Sequence, residues 1–335
     1  MSAPVLRVAH APSAVVTDLG RRRGPHYGVP SGGALDRRSA SIANVLAGNA
    51  PDAPVIEVTA FELELVAGAD VLIAVAGAPM TLRVDEVVHP LGEPVSVRAG
   101  QTVSLRDMSA GLRAYLAVHG SFDVPRLLGS CAPDTVLGFG SRLADGDELA
   151  VRTPVPPIVN PHFRAPLYRL DARAVVDPAD PVVVDVTDGP DVHEFGDTVS
   201  VLFDEPYTVG PASNHIGLRL AGRMPERHVA GEVLSRGVPV GAVEAPPGHE
   251  LLVLHRGRGV TAGYPVLAVV TAVSLDTLAQ VRPGSRVSFR HVDVDRAVAA
   301  ARAERSRLVA LQERTASVFT ALGHPLLSPL ERNRR

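Results

Sequence analysis

A chain of 335 residues is long enough for about two domains that bury their own cores, and with 46% apolar but only 4% aromatic side chains those cores have to be built from valine, leucine and alanine, which favours β-structure. A formal net charge of −3 excludes the basic footprint of a nucleic-acid or anionic-lipid binder, and a single cysteine, Cys131, excludes an internal disulfide framework or a thiolate-rich metal site. All 33 basic residues are arginine, which excludes a Walker-A phosphate lysine, a Schiff-base lysine and a lysine carrying covalent biotin or lipoate.

The amino-terminal stretch MSAPVLRVAHAPSAVV is broken by prolines, Arg7 and His10 before an apolar run of signal-peptide length accumulates. No 18-residue apolar run follows, so a cytoplasmic protein is expected. Arg21 to Arg23 and Arg334 to Arg335 read as solvated surface. Next comes GVPSGGALD, Gly28 to Asp36, a glycine cluster that opens onto a helix predicted over Asp36 to Ala47. In that helix Asp36 can cap, and Ile42, Val45 and Leu46 share a face. The glycines admit two readings: a tight turn from strand to helix, or a cradle in which the amides of Gly32 and Gly33 meet a carboxylate, carbonyl or phosphate. The motif is not G-x-G-x-x-G, and without lysine it is no P-loop.

Strand patterns dominate the rest of the first half. VIEVTAFELELVAGADVLIAVAGA, from Val55, combines alternating apolar positions such as Phe61, Leu63 and Leu65 with a continuous run. PVSVRAGQTVSLRDMSAGLRAYLAVHG, from Pro94, repeats the pattern with turns between strands. Cys131 in LLGSCAPDT has no base near it in sequence and reads as a small core or loop residue. TPVPPIVNP, Thr153 to Pro161, places four prolines in nine residues, which few central strands tolerate, so a linker is predicted over 153–180. A second strand series follows in PVVVDVTDGP, DTVSVLF, ELLVLHRG, YPVLAVVTAV and RVSFRHVDV. From about Asp293 a helical tail is predicted, with Leu308, Leu311, Val318, Phe319 and Leu322 on one stripe. The expected architecture is mostly β, with an amino-terminal half over 1–152, the linker, a carboxy-terminal half over 181–292 and the helical tail over 293–335.

Two further clusters carry candidate chemistry. In SNHIGLRL, His215 can move protons near neutral pH and Arg219 can grip a carboxylate. In VLSRGVPVGAVEAPPG and LLVLHRGRGVTAGYP, glycines and prolines frame Glu244, Thr261 and Tyr264 on turns between strands. From spacing alone, a surface histidine beside a strand arginine is the default reading of the first cluster, and ordinary turn chemistry explains the glycines and prolines of the second equally well. The histidines, His10, His26 and His119 among them, are scattered without H-E-x-x-H spacing, so no metal site is expected, and G-x-S-x-G is absent.

GPHYGVPSGGALDRRSASIANVLAGNAPDAPVIEVT, followed in order by YLAVHGSFDVPRLLGS, LADGDEL, YTVGPASNHIGLRLAG, SRGVPVGAVEAPPG, TAGYPVLAVV and LAQVRPGSRVSF, resembles the biotin-dependent carboxyltransferase family. That family includes the C subunit of 5-oxoprolinase, the antagonist KipA and allophanate hydrolase subunit 2. The resemblance spans roughly residues 20 to 290 and implies two cyclophilin-like β-barrel halves. It further implies one part of an ATP-dependent small-amide enzyme, foremost one opening the ring of 5-oxoproline, with ATP shared among partner subunits, one KipI-like and one LamB/YcsF-like. Alternatives within the resemblance are carboxyl transfer from carboxybiotin on a separate carrier and a KipA-like regulatory module. Its implied site joins Tyr27, Ser31, Gly32 and Gly33, with Asp36 and Asn44 holding that loop in shape, to His215, Arg219, Glu244, Thr261 and Tyr264, and Arg219→Ala is expected to abolish turnover. The chain departs from the family pattern at Cys131 to Pro133, at Asn214 to Ile216, at Glu244 where glutamine is common, and in GVTAGYP, Gly259 to Pro265. These changes fall on polar positions, so they bear on which substrate is used and on whether catalysis is retained.

Overall fold

A computed structural model describes residues 5–152, 170, 172, 175–176 and 179–321. Most of the linker expected over 153–180, and the tail beyond 321 with Leu322 and the last two arginines, lie outside the described residues. The chain divides into two compact units, one of Met1–Gly20, Arg37–Asp177 and Ser306–Arg335, the other of Arg21–Asp36 and Pro178–Arg305. The glycine cluster therefore goes with the second unit, although it precedes the first unit's main body in sequence.

The first unit contains β1 (Val5–His10), β2 (Ala14–Thr17), β3 (Val55–Thr59), β4 (Leu63–Ala67), β5 (Val71–Gly77), β6 (Thr81–Val84), β7 (Val87–His89), β8 (Val95–Val97), β9 (Thr102–Arg106), β10 (Arg113–Val118) and β11 (Glu148–Ala150), with helix α1 (Arg37–Leu46). They form two sheets, ordered β11-β1-β4-β9-β6-β7 and β2-β3-β10-β5-β8. One apolar core draws on both. Strand β4 buries Leu63, Leu65 and Ala67 and leaves Glu64 and Val66 half-exposed, as alternation predicts for a one-sided strand. The continuous run in β5 has a different cause. Val71, Ile73 and Val75 enter the core, while α1 packs against β5 and β10, so the seven strand residues are buried on both faces.

Asn44, a candidate for shaping the ligand loop, sits in this unit as a structural amide. Its Nδ2 donates to the Ala53 carbonyl at 2.8 Å, and its Oδ1 accepts from Asn49 Nδ2 at 3.1 Å. Asn49 in turn donates to Val118 O at 2.7 Å and accepts from the Gly120 amide at 2.9 Å. The two buried side chains pin the end of α1 to its following turn and to β10. Asn44→Ala strips partners from a buried amide and carbonyl, so it is expected to cost about 2–3 kcal/mol in urea denaturation. A loss below about 0.5 kcal/mol would show that this network does not hold the helix.

Asp18 organises the loop around Cys131. Its Oδ1 accepts from Ser130 Oγ at 2.5 Å and from the Gly20 amide at 2.8 Å, and its Oδ2 accepts from the Cys131 amide at 2.9 Å. Burial, with Asp18 adding to it, pushes the Cys131 thiol far above the ordinary thiol range, so it is a packed residue and not a thiolate nucleophile. Helix α4 (Val294–Ala321) carries the predicted stripe: Leu311 and Phe319 are buried, and Leu308 and Val318 half-buried. Thr315 completes it because its hydroxyl donates to the Leu311 carbonyl within the helix. Phe319 stacks on His119 at 5.3 Å between ring centroids, in a space kept open by Gly48. No described helix is long and apolar enough to cross a membrane.

The second unit contains β12 (Val182–Asp188), α2 (Val201–Asp204), β13 (Tyr207–Val209), β14 (Gly217–Ala221), β15 (Arg236–Gly237), β16 (Ala242–Glu244), β17 (Glu250–Leu254), β18 (Thr261–Ala262), β19 (Val266–Val270), α3 (Ala272–Leu278) and β20 (Arg286–His291). Seven of these strands close a barrel in the order β12-β19-β16-β17-β14-β13-β20, while β15 and β18 form a separate two-stranded ribbon. The protein is thus mostly β with a closed barrel and few helices. DTVSVLF, predicted as a strand, is instead the end of a 3-10 turn followed by α2. Alternation would have put Val199, Val201 and Phe203 on one face; the fold buries Val201 and Leu202 and leaves Phe203 exposed. The turn is set by Thr198, whose hydroxyl contacts the carbonyls of Phe195 (2.6 Å) and Glu226 (2.8 Å).

Candidate functional site

Strand β16 decides where Glu244 goes. Val243 joins the barrel interior with Leu251 and Val253, whereas Ala242 joins a smaller apolar cluster with Val238, Leu254 and Val266. With a two-residue period, Glu244 shares the outward side of Ala242, yet it is only 1% exposed. The ribbon and the strand that leaves it cover this side, since Val238 and Ala262 pack into the same cluster. The carboxyl group is therefore buried, with no hydrogen-bond partner on Oε1 among the described residues. Desolvation pushes its pKa from 4.5 up to about 7, against the opposing pull of the Arg236 guanidinium.

Arg236 is itself held in place. Its Nη2 donates to Asp191 Oδ2, a close ion pair, and the same carboxylate oxygen accepts the Val266 amide at 2.7 Å. Asp191 returns its own amide to the Val266 carbonyl at 3.1 Å, and Val266 is the register partner of Glu244 across β19 and β16. Asp191, Arg236 and Glu244 thus form one group: a clamp carboxylate, a partly exposed cation and a carboxyl poised to exchange a proton near neutral pH. Thr261 lies in the ribbon itself, paired with Gly237, and Tyr264 stands 41% exposed between the ribbon and β19.

A second group forms where Arg21–Asp36 meets the loop after β17. The Gly32 amide donates to the Arg256 carbonyl at 3.0 Å, and Ser31 Oγ approaches the same carbonyl at 3.5 Å. Gln280 Nε2 donates to Asp36 Oδ2 at 2.7 Å, with both residues buried, and Arg256 binds Asp276 at 2.8 Å and the Leu35 carbonyl at 3.2 Å. Gly32 and Gly33 both have positive φ, at 56° and 91°, which is what lets the chain fold back in this way. The Gly32 N–H is consequently spent on the backbone. The amides of Gly33 and Ala34 have no partner among the described residues and keep the cradle reading open. Tyr27 stands 68% exposed in a short 3-10 helix, Gly24–Tyr27.

His215 is exposed and packs against the same loop: its carbonyl accepts the Gly257 amide at 3.1 Å, and a Cβ on Gly257 would come within 2.5 Å of its ring. Arg219 alternates outward on β14 between buried Leu218 and Leu220, and pairs with Glu250 at 3.2 Å in an exposed ion pair. Of the residues singled out from sequence, Thr261 and Tyr264 lie on the chain that leads into β19, the strand whose Val266 pairs with Glu244; Ser31, Gly32 and His215 contact loop 255–259, and Asp36 is held by Gln280. Asn44 belongs to the first unit and Arg219 to an outer strand face. Asp191, Arg236, Arg258 and Gln280 carry no mark in the sequence that singles them out. Arg236 and Arg258 lie within the glycine- and proline-rich motifs, but nothing local signals a pairing over 45 residues such as Asp191 with Arg236.

Residues 27–291 match the family model "Carboxyltransferase domain, subdomain A and B". The chain belongs to this carboxyltransferase-domain family. It is similar to the C subunit of 5-oxoprolinase from Escherichia coli strain K12, at 31% identity over 85% of this chain and 90% of that protein. The crystal structure of TTHA0988 superposes with a TM-score of 0.75 at 31% identity, covering 87% of this chain; the chain spans 56% of that one. The K. lactis urea amidolyase structure covers 93% of this chain with a TM-score of 0.83 at 22% identity, a likeness of fold, and the chain spans 20% of it. As a carboxyltransferase-domain protein, it carries its buried Glu244 and all of the Arg21–Asp36 loop from Tyr27 onward within the matched region.

Proposed function

We propose that this carboxyltransferase-domain protein is one part of an ATP-dependent enzyme of small amides, working with partner subunits to open the ring of 5-oxoproline. The observation that carries the reading is the similarity to the C subunit of 5-oxoprolinase over 90% of that protein's length. In this reading Glu244 takes a proton from the attacking water or handles the proton of the lactam nitrogen, a task suited to a carboxyl titrating near 7. Arg236, fixed by Asp191, faces the charge that develops on the carbonyl oxygen, and the hydroxyls of Thr261 and Tyr264 orient the substrate. ATP and a KipI-like and a LamB/YcsF-like partner complete the assembly, and the site of action is the cytoplasm. Carboxyl transfer is the second reading, favoured by the family's own description; it requires biotin on a separate carrier, since this chain has no lysine.

The test is reconstitution with the proteins encoded beside it, measuring ATP-dependent glutamate release from 5-oxoproline. Glutamate release supports the first reading; carboxylation of an amide with a biotin carrier supports the second. Absence of both, with tight binding to a KipI-like protein, supports a regulatory module instead. Arg219→Ala separates the two groups of candidates. Its ion pair is exposed and worth less than about 1 kcal/mol, so turnover is expected to stay within about twofold of the unsubstituted protein. Abolished turnover would move the chemistry to the outer face of β14, where the family resemblance alone places it.

A further inference from the structure

Arg256 and Arg258 stand on one loop at nearly equal burial, 7% and 6% exposed, but only one has a counter-ion among the described residues. Arg256 binds the Asp276 carboxylate. Arg258 donates Nη2 to the Val238 carbonyl at 2.6 Å and nothing more: Nε and Nη1 are buried without a hydrogen-bond partner. No described carboxylate pairs with it, and burial alone pulls its pKa down from the ordinary arginine value. The cation that Glu244 feels is Arg236, so Glu244 does not balance Arg258 either.

A buried guanidinium with two idle donors is costly, because its water is lost and not replaced. Its placement is nonetheless well defined. The Arg258 amide closes a turn onto the His255 carbonyl at 3.1 Å, and Val238, which holds Nη2, is fixed by its own amide to Val260 O at 3.1 Å. Gly257 allows the loop to press against His215, and Gly259, the next residue, is exposed, so solvent lies one residue away. A fixed positive charge with unused N–H groups matches an oxyanion, which supplies both the missing charge and the acceptor lone pairs. A neutral amide supplies only the second.

We propose that Arg258 is the receptor for a small oxyanion, the carboxylate of an acidic amide or an inorganic phosphate, entering beside Gly259 and taking the two unused guanidinium donors. The inference does not depend on which reaction the protein serves. It is tested on the full chain by thermal melting at constant ionic strength, titrating inorganic phosphate, 5-oxoproline and the uncharged carboxamide of 5-oxoproline. One oxyanion is expected to raise the melting temperature saturably, by about 3 °C or more, and the carboxamide to have no effect. Response to phosphate alone assigns a phosphate site; response to 5-oxoproline but not to its carboxamide assigns a carboxylate site.

Arg258→Met should lose the shift, Arg258→Lys should raise the half-saturating concentration at least about fivefold, and Arg106→Ala, at an exposed surface ion pair, should keep it. No saturable shift with either anion overturns the proposal, as does an unchanged response in Arg258→Met. If Arg258→Met fails to fold, an unchanged response in Arg258→Lys is the overturning result. Anion binding without turnover in the reconstituted assay leaves this site standing and removes the amide reading. Turnover without any anion-dependent shift does the reverse.

Discussion

Glu244→Gln is expected to act in opposite directions on activity and on stability. Turnover should fall at least about 100-fold, the usual worth of a general acid or base, with the Michaelis constant changing far less. In the unsubstituted protein the rate should rise with pH through about 7 as the carboxyl ionises, and that limb should be missing in the variant. Stability moves the other way. The folded-state pKa lies above the unfolded one, so the folded protein holds this proton more tightly and the burial penalty is absent below about 4.5. It grows between 4.5 and 7 and is complete above about 7. A neutral amide resembles the protonated acid at every pH, so Glu244→Gln should gain about 3 kcal/mol at pH 8 and almost nothing at pH 4. Urea denaturation at both pH values measures this. Equal stabilities at pH 8 would mean that the carboxyl is solvated, and the case for Glu244 as proton carrier would fall with it.

Such a gain follows from where the residue stands. Burying a carboxyl with an unpartnered oxygen lowers stability, a cost that a neutral glutamine at the same position would largely avoid. The local chemistry that makes Glu244 visible in the sequence is its turn-rich frame, SRGVPVGAVEAPPG. Valine alternation likewise marks the strands of both halves, and apolar periodicity marks α1 and α4. Alternation misleads at DTVSVLF, where the pattern is real but Thr198 and the burial of Leu202 draw the segment into a turn and helix. Nor does any pattern show that Arg21–Asp36 belongs with loop 255–259, because the bonds that fix it, such as Gln280 to Asp36, join residues 244 apart in the chain. What is legible is local and periodic. The Arg236 clamp, the docking of the glycine cluster and the missing counter-ion of Arg258 are long-range facts without a local sequence mark.

The clamp can be broken without touching any of its side chains. Gly189 donates its amide to the Leu267 carbonyl at 2.8 Å, two residues before Asp191. A Cβ there would stand 2.3 Å from Val266 O, 2.5 Å from Leu267 C and 2.7 Å from Ala268 N. Overpacking costs about 1–3 kcal/mol where side chains can give way, but these atoms are strand backbone in a closed barrel. Gly189→Ala is therefore expected to lose about 4 kcal/mol or more, and to shift Asp191 away from the Val266 amide and from Arg236 in whatever fraction still folds. Gly237→Ala is the matched comparison, because no described atom lies within 4 Å of the added carbon although the residue adjoins Arg236. It should leave stability unchanged or gain up to about 1 kcal/mol. Denaturation midpoints for the two variants decide the matter: similar values would mean that β19 does not press on Gly189, and the rigid hold on Arg236 would lose its physical basis.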